Sequence, residues 1–283
     1  MFPGDKITYN HFYNRLDNSI EFVTRRTQNL VKKSMISSPP FLPEFIAPLQ
    51  RVKRIVKEDL GNVAGLLIPL DNGFEIRINA TQPPERQNFS CAHEIGHTFF
   101  FEHEGISLLK RIITEKGEKA GNNYLEYLCD ISAAELLMPS FIFAKYAAKY
   151  NFNIGSLSLL SNIFNTSIDA TAIRLCDFIN KRCYVTRLNL DKSQRLDDLN
   201  LRPMWLTWPR VRMPKTASRL LLNPKLLGQK SGMLKALRTD APVYSREWMG
   251  IMNFRGFCRT WSKGFSSTSQ RFVISFIFPE CDN

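Results

Sequence analysis

The sequence predicts an α+β protein in two parts: a helix-rich region over residues 1–182 and a smaller β-rich region over 183–283. Three observations predict it. Several segments before residue 182 place apolar residues at helical spacing of three to four. One pair of alternating segments flanks Asp71-Asn72-Gly73, and Asn-Gly supplies the positive φ angles of a tight hairpin. After Arg182 the pattern changes to short β-type runs with Pro and Gly between them. The composition shifts at the same place. Residues 183–283 hold 17 Lys or Arg against 7 Asp or Glu, so they supply +10 of the net +12, and they hold all four tryptophans.

Each element follows from a local signal. Leu16–Lys33 repeats Leu16, Ile20, Val23 and Leu30 on a helical face, and Pro39-Pro40 then favours an extended connection. Phe45–Leu60 reads as a second amphipathic helix stopped before Gly61. In the hairpin, Ala64–Pro69 pairs with Phe74–Asn79, where Phe74, Ile76 and Ile78 form an apolar face and Glu75, Arg77 and Asn79 a wet one. A helix is predicted over Arg86–Glu102, then a partly flexible connection over Glu104–Asn123, where Gly105, Gly117 and Gly121 lie among charges. Helices follow at Tyr124–Met138, stopped by Pro139, at Phe141–Tyr150, at Ser156–Phe164 and at Ser167–Asn180, with Ser167 as N-cap. The β-type runs are Cys183–Leu188, Trp205–Trp208 and Arg271–Phe278.

Composition excludes several classes. With 44% hydrophobic and 23% charged residues in 283, the chain is neither disordered nor short of material for a core. Its apolar runs are too short to cross a bilayer. The polar start, MFPGDKITYNHFYNRL, lacks the apolar stretch of a signal peptide, so the cytosol is the expected compartment. The six cysteines form no CxxC pair and are expected to be reduced and mostly buried.

The chemistry is concentrated in His93-Glu94-Ile95-Gly96-His97. Two histidines four apart lie on one helical face, so both imidazoles reach a single ion. Glu94 projects beside that ion and can take a proton from a bound water, whose pKa zinc lowers from about 15.7 to about 7. Gly96 in mid-helix costs roughly 1 kcal/mol against alanine, which points to a close approach by a neighbouring element. A third protein ligand is required, with one position left open. His103 completes HExxHxxxxxH, but that spacing needs a sharp exit at Phe100, where a positive φ is sterically costly. If the helix continues instead, His103 turns about 240° away from His97. Glu126 is the preferred candidate: it begins a separate helix, with Asp130 one turn further on the same face. A Glu ligand followed four residues later by Asp resembles the Glu-zincin arrangement, in which the Asp holds a ligating histidine in one tautomer. Glu135 lies too far along the axis to replace Glu126.

Three ordered stretches resemble the signatures of ImmA/IrrE-type metallopeptidases: Arg86–His97 (RQNFSCAHEIGH), Glu126–Pro139 (EYLCDISAAELLMP) and Ser167–Leu175 (SIDATAIRL). The resemblance covers about residues 16–180. It implies zinc as cofactor, His93, His97 and Glu126 as its ligands, and Glu94 as general base. It also implies a zincin-like metallopeptidase domain with a helical, helix-turn-helix-like extension at about 156–180, followed by a small C-terminal β-rich α+β domain. The implied activity is limited endoproteolysis of a DNA-binding repressor in a stress-response or mobile-element switch. Cys129 and Ser132 depart from the family's second signature, so packing around Glu126 is expected to differ.

Residues 183–283 match no motif. A sensor or substrate-docking module is the first reading, a solvated basic face the second, and direct nucleic-acid binding the third. The rival to an enzyme is a metal-containing regulator that binds DNA or a protein partner through this region. Arg174 could steady a developing oxyanion, but an ion pair that anchors its helix is the preferred reading.

Overall fold

The computed structural model describes residues 6–151, 153–178, 183–190, 201–207, 231–251, 254–266 and 271–280. Contacts divide the chain into two compact units: Met1–Phe143 with Ile163–Thr166, and Ala144–Asn162 with Ser167–Asn283. This division falls ahead of the boundary placed at 182/183, so most of the 156–180 extension clusters with the basic region.

The first unit begins with helix α1 (Lys6–Lys33), then a single turn α2 (Pro43–Ile46) that runs into a 3-10 turn. Strands β1 (Val52–Glu58), β2 (Gly65–Leu70) and β3 (Gly73–Asn79) form a sheet in the order β1-β3-β2, β1 parallel and β2 antiparallel to β3. The two strands of the hairpin pair as predicted, but its two-residue turn is Asp71-Asn72: Asn72 keeps a negative φ, and Gly73, at φ 149°, already belongs to β3 and pairs with Leu70. The helix predicted over Phe45–Leu60 is not formed beyond the short turns: Arg51 takes a left-handed conformation (φ 60°) and its carbonyl accepts from Phe74 N at 3.0 Å, which launches β1 alongside β3. Phe74, Ile76 and Ile78 are buried as the alternation requires. The opposite face is not wet throughout. Glu75 is 1% exposed, between Arg54 and Arg77, and Asn79 is buried with its amide donating to the Gly61 and Val63 carbonyls.

Helix α3 (Pro84–Thr98) packs against β2 and β3 on one side and against α5 (Glu118–Leu137) on the other. Between them the expected connection is a helix, α4 (His103–Lys116), reached through a 3-10 turn at Phe99–Phe101. Its glycine serves contact rather than looseness: a Cβ on Gly105 would meet the Phe99 carbonyl at 1.9 Å. Helix α1 also packs along α5, so the core forms where Val23, Leu30, Ile95, Phe99, Leu128 and Leu136 meet. Helix α6 (Ser140–Lys149) follows Pro139.

In the second unit, α7 (Leu157–Phe164) and α8 (Ile168–Cys176) are separated by a short turn, and the Ser167 hydroxyl accepts from Ala170 N at 3.1 Å, as an N-cap does. Strands β4 (Tyr184–Leu190), β5 (Leu201–Thr207), β6 (Val243–Ile251), β7 (Phe254–Ser266) and β8 (Arg271–Pro279) form an antiparallel sheet in the order β5-β4-β8-β7-β6. Helix α9 (Gly232–Thr239) packs on β6, β7 and β8. Asp169 pairs with Arg187 at 2.7 Å, and the Cys176 thiol meets the Cys183 carbonyl, so α8 is tied to β4. Arg174 pairs with Asp177 at 3.4 Å. Among the described residues no single helix is long and apolar enough to cross a membrane.

Candidate metal centre

Helices α3 and α5 meet closely at Gly96. A Cβ there would lie 3.1 Å from Ser132 Cβ and 3.3 Å from Cys129 Cα. Ser132 is fully buried and its hydroxyl shares a 2.8 Å hydrogen bond with Thr27 of α1, so three helices meet at that level. The close approach expected from a mid-helix glycine is formed, and it brings Glu126 and Asp130 opposite the two histidines.

His93 Nε2 lies 3.1 Å from Glu126 Oε2 and 3.2 Å from His97 Nε2, and His97 Nε2 lies 3.5 Å from Glu126 Oε1. A tetrahedral zinc site with bonds of about 2.0–2.1 Å places its donors roughly 3.3–3.4 Å apart. The three donor groups therefore already stand at the edge length of such a site. His93 Nδ1 donates to Asp130 Oδ1 at 3.0 Å, which fixes the ring and directs Nε2 towards the other donors. Although burial pulls it down, the His93 pKa is raised to about 9 by its bonds to Asp130 and Glu126. His97 is lowered, by burial and then by His93, and Glu126 is lowered chiefly by its bond to His93. Paired imidazoles beside carboxylates are a donor set suited to a dication.

Glu94 lies one residue along α3, 8% exposed. Its carboxyl is pushed up to about 7, mainly by burial, with Glu126 adding and His93 opposing. A dication among the neighbouring donors would favour the ionised form and draw that value back down. The wall beside it is Gly65 of β2, where an added Cβ would stand 3.0 Å from Glu94 Oε1. Sequence reading passed over Gly65; a glycine inside a strand pattern was the available signal of a close approach.

His103 opens α4 beyond the 3-10 turn, while the carboxylates beside His93 and His97 are those of Glu126 and Asp130. Phe100 stays helical and buried, so the sharp exit that His103 would need is not made. Glu135 is 2% exposed and accepts from Gln28 Nε2, Ser140 N and Ser140 Oγ at 2.8–3.0 Å; it joins α1 to the start of α6. Cys129 was missed as a donor: one atom each of His93, His97 and Cys129 lie within 4.8 Å of one another. The Glu126 oxygens stand at 3.1 and 3.5 Å from the two histidine Nε2 atoms. The Cys129 thiol is fully buried, and burial followed by Glu126, Glu94 and Asp130 holds its pKa well above the usual range. Cys91, also buried, is raised to about 12 by burial.

Metallopeptidases are the class in which a helix-borne pair of histidines meets a carboxylate from a second helix, with a further glutamate alongside. Residues 53–175 match the family of the IrrE N-terminal-like domain, peptidase M78. Over 75 residues the chain is 35% identical to the radiation response metalloprotease IrrE of Deinococcus radiodurans, a stretch that covers 26% of this chain and 22% of that protein. Over residues 53–175 the chain is thus similar to the ImmA/IrrE-type metallopeptidases, and it spans about a fifth of the length of the relative it matches. A solved structure of a Mycobacterium tuberculosis transcriptional regulator aligns with 95% of this chain and 79% of its own, with a TM-score of 0.60 and 13% identity, a likeness of fold alone.

Proposed function

We propose that this chain is a zinc-dependent endopeptidase of the cytoplasm that makes limited cuts in a protein substrate, a DNA-binding transcriptional repressor of a stress-response or mobile-element switch. The observation that carries the reading is the set of three donors at 3.1–3.5 Å with the buried Glu94 beside them. The chemistry divides among named side chains. His93, His97 and Glu126 would hold the ion, and zinc when bound supplies Lewis-acid activation of water and of the scissile carbonyl. Glu94 accepts the proton of the attacking water and returns it to the leaving amine. Asp130 keeps the proton of His93 on Nδ1, so that Nε2 remains a donor to the ion. The repressor as substrate rests on the family, as does the expectation of a regulatory setting.

The sheet order supports a route for the substrate. β3 is central, whereas β2 is an edge strand beside α3, so an extended peptide can add to β2 by backbone pairing. The strand in question is Gly65–Leu70 of the hairpin.

Metal analysis of the purified full chain tests the reading. About one zinc per chain is expected in the wild type, and near none in His93→Ala and in Glu126→Ala. Retention in Glu126→Ala, lost only when Cys129→Ala is added, would pass the third position to the thiol. Zinc bound equally by all variants would leave a regulator without a catalytic site.

A further inference from the structure

The outer face of the β6–β7 ribbon carries a ladder that the peptidase chemistry does not use. Strand register places Tyr244 opposite Trp261, Arg246 opposite Arg259, and Trp248 opposite Phe257. Alternation decides which way these rungs point. Ser245 and Glu247 are turned to α9, where their side-chain atoms crowd Gly232, and Cys258, Thr260 and Ser262 are buried. The six rung residues therefore face away from α9. Tyr244, Trp248 and Phe257 are 57%, 51% and 45% exposed, and the Arg246 and Arg259 side chains 58% and 70%. Large rings left open on an edge ribbon are not core.

The rungs are also organised. Glu280 accepts from Arg246 Nε at 2.8 Å and from Arg259 Nε at 3.0 Å, holding the two guanidinium forks side by side. Arg246 stacks 4.0 Å over the Phe257 ring, and Trp261 is braced by Tyr244 and Phe278. Successive rungs are two residues apart along each strand, about 6.7 Å. The two aromatic rungs flank the arginine rung and so stand about 13 Å apart, roughly four times the 3.4 Å step of a stacked duplex strand, so bases splayed from a single strand can each meet a separate ring. Cations between the rings suit the phosphates that join those bases. An acidic peptide would use the guanidinium groups and leave the open ring faces without a role. The surplus of 10 positive charges over residues 183–283 gives the long-range attraction that a polyanion needs.

We infer that the outer face of the β6–β7 ribbon binds single-stranded nucleic acid, with aromatic rungs stacking on bases and the Arg246–Arg259 rung contacting the backbone. The inference is independent of the metal centre. Its test is fluorescence anisotropy of the full-length protein with a labelled oligothymidylate of about twelve nucleotides. Low-salt binding is expected, weakened about ten-fold by Trp248→Ala and about ten-fold by Tyr244→Ala, the loss of one stacked base each. Trp248→Phe, which keeps a ring, should recover most of that loss. Arg246→Gln and Arg259→Gln should each flatten the salt dependence by roughly 0.7 in slope. Circular dichroism confirms that each variant is folded, and any variant that fails is replaced by its conservative partner, Tyr244→Phe or Arg259→Lys. The inference is overturned if the oligonucleotide does not bind, if folded variants bind it equally, if a duplex of the same length binds more tightly, or if polyglutamate of equal length displaces it as effectively as unlabelled oligonucleotide.

Discussion

The α3–α5 crossing and the β6–β7 ribbon present two kinds of polar surface. At the crossing, polar groups are drawn inwards: Glu94, Ser132 and Glu135 are all under 9% exposed, and the two imidazoles are steered by Glu126 and Asp130. On the ribbon, charged and aromatic groups are turned outwards in rungs, steadied by Glu280, by Phe278 and by one another. The difference separates chemistry from recognition. A reaction centre needs donors fixed to within a fraction of an ångström. A surface for a flexible polymer needs repetition and exposure.

Four substitutions sharpen that contrast. The largest effect is expected from Glu94→Gln, which should lower substrate cleavage by about 10²- to 10⁴-fold while metal analysis finds zinc retained, because the side chain moves a proton and holds no ion. Full cleavage in that variant would remove the crossing from the chemistry. Next, Asp130→Asn should weaken zinc affinity by about 10- to 100-fold in competition with a chelator, since it cannot fix the His93 tautomer as a carboxylate does. Gly65→Ala should reduce cleavage by on the order of ten-fold, by displacing the Glu94 carboxylate, with metal content unchanged; normal turnover would mean that the wall beside Glu94 is soft. The smallest effect is Gly96→Ala. The new Cβ crowds Ser132 and the Cys129 backbone, at about 1–3 kcal/mol, while helix propensity returns about 1 kcal/mol. A net loss of about 1 kcal/mol is expected in denaturant unfolding, and a gain would show that α3 and α5 can separate.

What the sequence disclosed follows the same division. His93, Glu94 and His97 lie on one helix, so their juxtaposition is a matter of local periodicity, and Glu126 with Asp130 repeats that logic on a second helix. Gly96 advertised the crossing that joins the two. The hairpin was legible because alternating apolar runs flank a short polar turn. The strand at Val52–Glu58 was not: its few apolar residues are compatible with either period, and what makes it a strand is parallel pairing with β3 after a left-handed turn at Arg51. The helix at His103–Lys116 was hidden because its glycine looks like a breaker, although Gly105 makes room for the Phe99 carbonyl. Cys129 was visible only as a departure from a signature. In the basic region, β6 and β7 went unassigned and the pairing of Tyr244 with Trp261 is a matter of register, which a linear reading does not contain. Trp208 and Cys281 lie outside the described residues.

Glu135 has a mechanical consequence for the helix that bears Glu126. One of its oxygens gathers Gln28, the Ser140 amide and the Ser140 hydroxyl, so the far end of α5 is bolted to α1 and to the next helix. A helix slips past its neighbour in steps of about 5.4 Å, one full turn. The bolt and the Gly96 notch both oppose such a step of α5, and so keep Glu126 level with the two imidazoles.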